Sequence, residues 1–173
     1  MKNIILTGIL LSVIAVSGFA QRVKEGTLSV LKNEERVNIQ LDFSKTSFVG
    51  MDEEMFSQYE QDWKKDKGEV VAKFIVDAYT HCKRIVLGSF KDTEYTFVIR
   101  VISISKKGDF LCHVDLVNKA GERKAHVEGL EESGGRFGSL LNLIKDGAMH
   151  TGEGFGEFVD GELEDLKPKV KRR

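Results

Sequence analysis

The chain has 173 residues, a formal net charge of −1, one proline and two cysteines. A composition of 41% hydrophobic and 31% charged residues is typical of a globular protein, and it excludes wholesale disorder and a disulfide-rich miniprotein. The near-neutral charge gives no indication of nucleic-acid binding, which usually requires a strongly basic surface.

Residues 1–20 have the pattern of a secretory signal peptide. A basic start at Lys2 precedes a mostly apolar stretch, and the small residues Gly18 and Ala20 stand ahead of Gln21. The alternative is an N-terminal anchor, but about thirteen apolar residues fall short of the roughly 20 that span a bilayer. The pattern therefore predicts a periplasmic or secreted protein with no transmembrane span after cleavage. It divides the chain into a signal peptide at 1–20, one domain at 21–165 and a basic tail at 166–173.

The first elements of the domain are predicted to be two strands. Residues 27–31 and 37–43 both alternate apolar and polar side chains, and residues 33–35 between them favour a turn. This pattern predicts an antiparallel hairpin with one face toward solvent.

Two helices are predicted next. The acidic residues 52–54 favour a helix start, after which Met51, Met55, Phe56 and Tyr59 share one helical face. A second helix is predicted from about residue 69 to Cys82. Its buried stripe is Val70, Val71, Phe74, Ile75 and Ala78.

A short strand at 84–88 and three strands within 95–130 follow. Glycine-containing turns at 107–108 and 118–121 separate the three strands and set their register. We expect one cross-strand row of Arg100, Asp115 and Lys124 beside a second row of Ile102, His113 and His126. A register shifted by one residue would place charged side chains on the apolar face, so the pattern disfavours it.

The last helix is predicted over about residues 136–164. Glycines at 147, 152, 154 and 156 interrupt its apolar repeat. They predict either a kink or break, or a close contact with the sheet that only glycine permits. The predicted order ββααββββα defines an α+β fold, a mostly antiparallel sheet with helices packed on one face.

The polar face of the three-stranded region holds the candidate binding residues. They are His113, His126, Asp115, Arg100 and Lys124. Two histidines on adjacent strands could bind a divalent metal or a small ligand, or respond to pH. Opposed strand residues point in parallel, however, and no third ligand is evident, so an ordinary solvated ladder is favoured and no metal or cofactor is predicted.

Cys82 and Cys112 are the only cysteines, and an oxidising compartment would permit a disulfide between them. The alternative is a pair of buried thiols that pack as small apolar side chains.

Other signals are weak. Residues 134–139 precede a helix but lack the ending of a phosphate-binding loop, so a structural loop is favoured. His81 and His150 are expected at or near helix ends or on the surface. No nucleophile or metalloprotease motif occurs, and no catalytic residue is predicted. The tail 167–173 holds five basic residues and is expected to be a frayed terminus or a weak contact for an anionic surface.

Several segments together resemble the exported, uncharacterised proteins of Bacteroidetes-type bacteria. They are Leu41-Asp42-Phe43-Ser44, Trp63, the strand at 95–104, the Gly-Gly-x-Phe-Gly stretch, Asp146-Gly147 and Thr151-Gly152-x-x-x-Gly156. The resemblance implies a periplasmic or secreted α+β domain and brings no catalytic residues.

The functional expectation is a non-enzymatic envelope domain. It would bind or scaffold a partner protein or envelope component through a sheet face, a sheet edge or the last helix. The alternative is a small-ligand or metal-binding protein that uses the His113 and His126 face.

Overall fold

The computed structural model describes residues 22–170, so the predicted signal peptide lies outside the described residues. The elements, in chain order, are β1 (Arg22–Gly26), a 3-10 helix (Leu28–Asn33), β2 (Arg36–Asp42), β3 (Ser47–Phe48), α1 (Glu53–Tyr59), α2 (Trp63–His81), β4 (Val86–Gly88), β5 (Tyr95–Ile104), β6 (Phe110–Asn118), β7 (Arg123–Glu132) and α3 (Leu140–Glu162). Within 22–170, no helix is both long and apolar enough to cross a bilayer.

The sheet is mixed. Its strand order is β1-β7-β6-β5-β2-β4, and β3 pairs with β5 off this path. The β1–β7, β5–β6 and β6–β7 pairs are antiparallel, whereas β2 is parallel to both β4 and β5. The α+β class is confirmed. The sheet nevertheless has parallel pairs that the alternation of side chains does not reveal.

The predicted N-terminal hairpin is wrong. Residues 28–33 form a 3-10 helix, and the hydroxyl of Thr27 caps it by accepting a hydrogen bond of 3.0 Å from the Ser29 N–H. The first strand is instead β1, which lies at the far edge of the sheet against β7. Gly26 ends β1 with a φ of 75°, and a Cβ there would lie 1.9 Å from the Lys124 carbonyl oxygen. Only glycine therefore fits at the point where the chain leaves β1.

The parallel pairing of β2 with β4 follows from the connection between them. Parallel neighbours cannot be joined by a tight turn and need a crossover, which is usually helical. Here the crossover contains β3, α1 and α2. It returns the chain to the edge of the sheet next to β2.

Helix α3 is continuous from Leu140 to Glu162, so it has no break at these glycines. The glycines allow close contact instead. A Cβ on Gly147 would lie 1.9 Å from the Gly108 carbonyl oxygen in the β5–β6 turn. Cβ atoms on Gly152 and Gly156 would lie 2.2 Å and 2.6 Å from the carbonyl oxygens of Phe74 and Ala78 on α2. The close contact is thus mainly between two helices rather than between helix and sheet.

The predicted stripe of α2 is confirmed, because Val70, Phe74 and Ala78 are fully buried and Val71 and Ile75 pack partly buried against the core. The predicted face of α1 is wrong for two of its members. Phe56 is buried, but Met55 and Tyr59 are 55% and 67% exposed.

An aromatic cluster fills the space beside α1. Its rings are Phe43, Phe48, Phe56 and Trp63, with neighbouring centroids 4.9–6.1 Å apart. Trp63 begins α2, six residues before the predicted start of that helix, and is completely buried.

Candidate functional site

The sheet has one apolar face and one polar face. On the apolar face the side chains of β5, β6 and β7 form one core with α2 and α3. The opposite face carries no helix in the part of the chain that the structure describes. We call this the open face and define it by Val98, Arg100, His113, Asp115, Val117, Arg123 and His126.

The open face contains the predicted polar residues, but their partners differ from the expected rows. Arg100 lies opposite His113, and Asp115 lies between Val98 and His126. Both strand pairs are therefore shifted by two residues from the predicted register. A shift of two keeps every side chain on its face, so the predicted faces are right and the predicted partners are wrong.

The turns and the irregular pairing each account for one residue of the shift. The Ser105 N–H donates to the Asp109 carbonyl oxygen and the Asn118 N–H to the Glu122 carbonyl oxygen, so both turns hold three residues rather than the predicted two and four. Bulges or irregularities occur between Val101 and Ser103, between Cys112 and Val114, and between Leu116 and Val117. Each changes the register by one residue, which turn length alone cannot predict.

Asp115 is the centre of the open face. Its side chain is only 1% exposed although no described helix lies over it, because it is in contact with the side chains of Arg100, Arg123 and His126. Oδ1 lies 2.7 Å from the Nδ1 of His126, and Oδ2 forms an ion-pair contact of 2.5 Å with Nη2 of Arg100. Arg123 contributes a longer contact of 3.7 Å to Oδ1. A buried carboxylate requires such partners, because desolvation without them would strongly disfavour the folded state.

Three residues of this network were not predicted. Arg123 reaches Glu25 of β1 at 2.7 Å, and the Nε2 of His126 lies 3.4 Å from Glu128. Arg123 joins the open face because the irregularity after Leu116 places it opposite Val117. Glu25 joins it because β1 pairs with β7, and only the correct strand order could have indicated that contact.

The remaining candidates lie at the margin of the network. Lys124 pairs with Glu122 at 2.6 Å and does not contact Asp115. The ring of His113 lies 5.9 Å from that of His126, and its buried Nδ1 has no hydrogen-bond partner among the described residues.

The fixed and half-exposed arginines of the open face suit it to binding a partner. The buried carboxylate holds Arg100 and Arg123 in fixed positions while their guanidinium groups stay about half exposed. Fixed cations lose less conformational entropy when they bind a partner group. Within residues 22–170, no group of three or more histidine, cysteine or acidic side chains is arranged to hold a metal ion.

The two cysteines are both buried, Cys82 at the end of α2 and Cys112 in the middle of β6. They are thiols in this structure. Burial raises the pKa of the Cys112 thiol far above its ordinary value. A disulfide between them, the alternative for an oxidising compartment, stays a prediction.

A shallow cavity of about 260 Å³ lies between β7 and α3, lined by Glu132, His150, Glu153, Gly154 and Glu157. Burial raises the pKa of Glu132 above its usual range, and the nearby carboxylates add to the effect while His150 opposes it. His150 is in the middle of α3 rather than near a helix end, and its Nδ1 lies 2.8 Å from the Ser133 carbonyl oxygen. His81 does end α2, where it lies 3.6 Å from Glu153.

The first residues of the basic tail lie against the body of the protein. The Lys167 ammonium donates to the carbonyl oxygens of Leu31 and Glu34 at the end of the 3-10 helix. Arg84, nearly buried, donates to the Lys167 carbonyl oxygen at 2.8 Å. The expected fraying is therefore wrong for Lys167, and residues 171–173 lie outside the described residues.

Comparison with known proteins gives little. No family model matches the chain, and no curated protein is similar to it. Two solved structures are weakly similar to the chain, both of PelC dodecamers from Paraburkholderia phytofirmans. The match to the structure of a PelC variant covers 79% of this chain and 94% of that chain, with a TM-score of 0.36 and 8% sequence identity. The match to the other PelC structure covers 78% of this chain and 95% of that chain, with a TM-score of 0.37 and 8% sequence identity.

Proposed function

We propose that this chain is a non-enzymatic domain of the cell envelope that binds a partner protein through the open face of its sheet. The observation that carries the proposal is the Asp115 network, in which a buried carboxylate holds two half-exposed arginines on a sheet face that no described helix covers.

Of the three surfaces expected from the sequence, the open face is the best suited to a partner. The glycine side of α3 is occupied by α2 and the β5–β6 turn. The edge strands β1 and β4 have only five and three residues, and β1 has an irregularity in its pairing. Short and irregular edges disfavour the addition of another strand.

The composition of the open face resembles a non-obligate protein interface. Half-buried apolar side chains, Val98 and Val117, lie beside arginine and histidine, with Glu25 and Glu128 at the rim. Such interfaces combine apolar contacts with a polar rim, and arginine is enriched in them. We infer a partner with an apolar side chain that packs against Val98 and a carboxylate that pairs with the guanidinium group of Arg100.

Site-specific photo-crosslinking tests the proposal. A crosslinking residue replaces Val98 on the open face or Ala72 on the exposed side of α2, and each protein is expressed as the full chain in its host. We expect one discrete crosslinked protein from position 98 and none from position 72. The Arg100→Gln substitution should strongly weaken the crosslink, because it removes the cation that the partner meets while Arg123 and His126 still contact Asp115, and an unchanged circular dichroism spectrum checks that the fold is kept. Equal crosslinking from both positions, or none from position 98, would contradict the proposal.

The second candidate is a small ligand or metal bound at His113 and His126. The contact between His126 and Asp115 favours it, because a carboxylate on Nδ1 orients the ring and leaves Nε2, beside the Glu128 carboxylate at 3.4 Å, as the atom that would bind a ligand. Calorimetric titration with zinc or nickel tests it. Heat that is lost in His126→Ala but kept in His81→Ala would support a metal site, and no heat would exclude one.

A further inference from the structure

The loop between β7 and α3 presents a large aromatic side chain to solvent. Phe137 is 88% exposed, more than any other large apolar side chain of the described residues. Gly135 and Gly138 flank the pair Arg136 and Phe137, and Gly138 has a φ of 123°.

The loop is held firmly at its base. The Gly134 N–H donates a hydrogen bond of 2.8 Å to Asp109 in the β5–β6 turn. A Cβ on Gly134 would lie 1.9 Å from the Lys107 carbonyl oxygen, so the two backbones touch. Ser139 then caps α3 by accepting from the Asn142 N–H at 3.3 Å. Phe137 is thus displayed by a fixed backbone and does not belong to a frayed end.

Three exposed cations lie on this loop and on the turn that contacts it. Lys106 and Lys107 are exposed on the turn that contacts the loop, and Arg136 is exposed beside Phe137. None of the three forms an ion pair within residues 22–170. We call Lys106, Lys107, Arg136 and Phe137 the loop tip.

Two acidic groups contact the base of the loop. Asp109 accepts from Gly134 and from the Ser105 hydroxyl, and these hydrogen bonds lower its pKa. Asp146 is half-buried in α3 beneath Gly135. The loop tip itself therefore presents three exposed cations and one apolar side chain.

We propose that the loop tip docks on an anionic lipid surface, with Phe137 in the interfacial region and the three cations at the headgroups. Aromatic side chains favour the membrane interface, and basic residues near an anionic leaflet strengthen binding. A single projecting ring without an apolar surround suits a protein interface less well, because such interfaces need an apolar core of many residues.

The expected strength can be estimated from the side chains. Each cation contributes about a fivefold factor at an anionic surface, and burying the Phe137 ring contributes about tenfold or more. The product is an enhancement of about 10³-fold or more over a surface that lacks the ring and the three cations, which is measurable with vesicles.

The loop tip differs from the contact expected at the basic tail. It lies where β5 ends and α3 begins, whereas the tail follows the other end of α3 and packs against the 3-10 helix. The inference is also independent of the open face, because it uses a different surface and a different kind of partner.

Vesicle binding by Phe137→Trp tests the proposal. Protein is purified from the envelope of cells that express the full chain, then mixed with vesicles of phosphatidylcholine alone or with about 30% phosphatidylglycerol. Trp63 is completely buried and gives a constant background. We expect the emission of the introduced indole to shift to the blue only with the anionic vesicles.

Co-sedimentation of unlabelled variants with anionic vesicles measures how much the Phe137 ring and the lysines each contribute to vesicle binding. Phe137→Ser should weaken binding at least about tenfold, and the double substitution of Lys106 and Lys107 by glutamine about 25-fold. The matched controls are Tyr59→Ser, which removes another exposed aromatic ring, and the glutamine double variant of Lys32 and Lys91, two exposed lysines at the opposite end of the sheet. Both controls should bind like the parent protein.

Three results would overturn the proposal. The first is equal binding to anionic and neutral vesicles, and the second is a loss in Tyr59→Ser as large as in Phe137→Ser. The third is unchanged binding to anionic vesicles in Phe137→Ser, which would leave the exposed ring without a role in docking.

Discussion

The close packing of α2 against α3 gives the sharpest test of the fold. Replacing Gly152 by alanine would place a Cβ 2.2 Å from the Phe74 carbonyl oxygen, a backbone atom that cannot rotate away. The two helices would have to separate. Gly68 provides a matched control in α2, because a Cβ there meets nothing within 4 Å.

The expected magnitudes follow from two opposing effects. Overpacking costs about 1–3 kcal/mol, with the upper end expected when backbone must move, whereas alanine gains about 1 kcal/mol over glycine in a helix interior. We expect Gly152→Ala to lower the free energy of unfolding by about 2 kcal/mol, or about 4–8 °C in Tm. Gly68→Ala should raise it by about 1 kcal/mol, or about 2–4 °C. Gly156→Ala, with a Cβ at 2.6 Å, should fall between them.

Thermal unfolding followed by circular dichroism and by Trp63 fluorescence measures all three variants. Trp63 reports on the start of α2 and its aromatic cluster, so both signals should change together in a two-state transition. If Gly152→Ala were as stable as Gly68→Ala, the two helices could not be in the close contact described here.

Two further predictions concern buried titratable groups. Because the pKa of Glu132 is raised in the folded state, the folded state disfavours the ionised carboxylate. The contribution of Glu132 to the free energy of unfolding is therefore present at low pH, where the carboxyl is protonated, and is lost as pH rises through the folded pKa. Glu132→Gln should therefore raise the Tm at about pH 8 and leave it unchanged at about pH 4, and an equal effect at both would refute burial as the cause. For the cysteines, burial and the raised pKa of Cys112 predict no reaction of native protein with dithionitrobenzoate. After unfolding without reductant, we expect two thiols per chain to react. If no thiol reacted, Cys82 and Cys112 would be joined by a disulfide.

Local sequence pattern predicted the elements that local physics controls. The three meander strands, the stripe of α2 and the two faces of the sheet follow from side-chain periodicity, which records which side is buried. The identity of cross-strand partners was wrong by two residues. Three-residue turns and bulges together cause that difference, and the bulges depend on how neighbouring strands fit together.

The N-terminal segment shows the opposite case. Residues 27–31 alternate like a strand, yet the Thr27 cap and the packing of Leu28 and Leu31 into the core favour a 3-10 helix. The exposure of Met55 and Tyr59 is similar, because α1 has only two turns and Phe56 alone reaches the aromatic cluster. Tertiary packing overrode the pattern in both places.

The sequence predicted four members of the candidate site but neither its centre nor the contributions of Glu25, Arg123 and Glu128. Arg100, His113, Asp115 and His126 were identified as neighbours on a polar face, but Asp115 was expected on a solvated ladder. Its burial depends on Arg123, which reaches it only after an irregularity in β6–β7 pairing.

By itself, the sequence determined the α+β class, the alternation that separates the two faces of the sheet, and the positions of most helices and strands. These depend on interactions between residues close in the chain. The tertiary structure alone decided the parallel pairing of β2, the continuous α3 with its glycines against α2, and the ion network around Asp115. Each of those brings together residues far apart in sequence, where the relative position of whole elements sets which atoms meet.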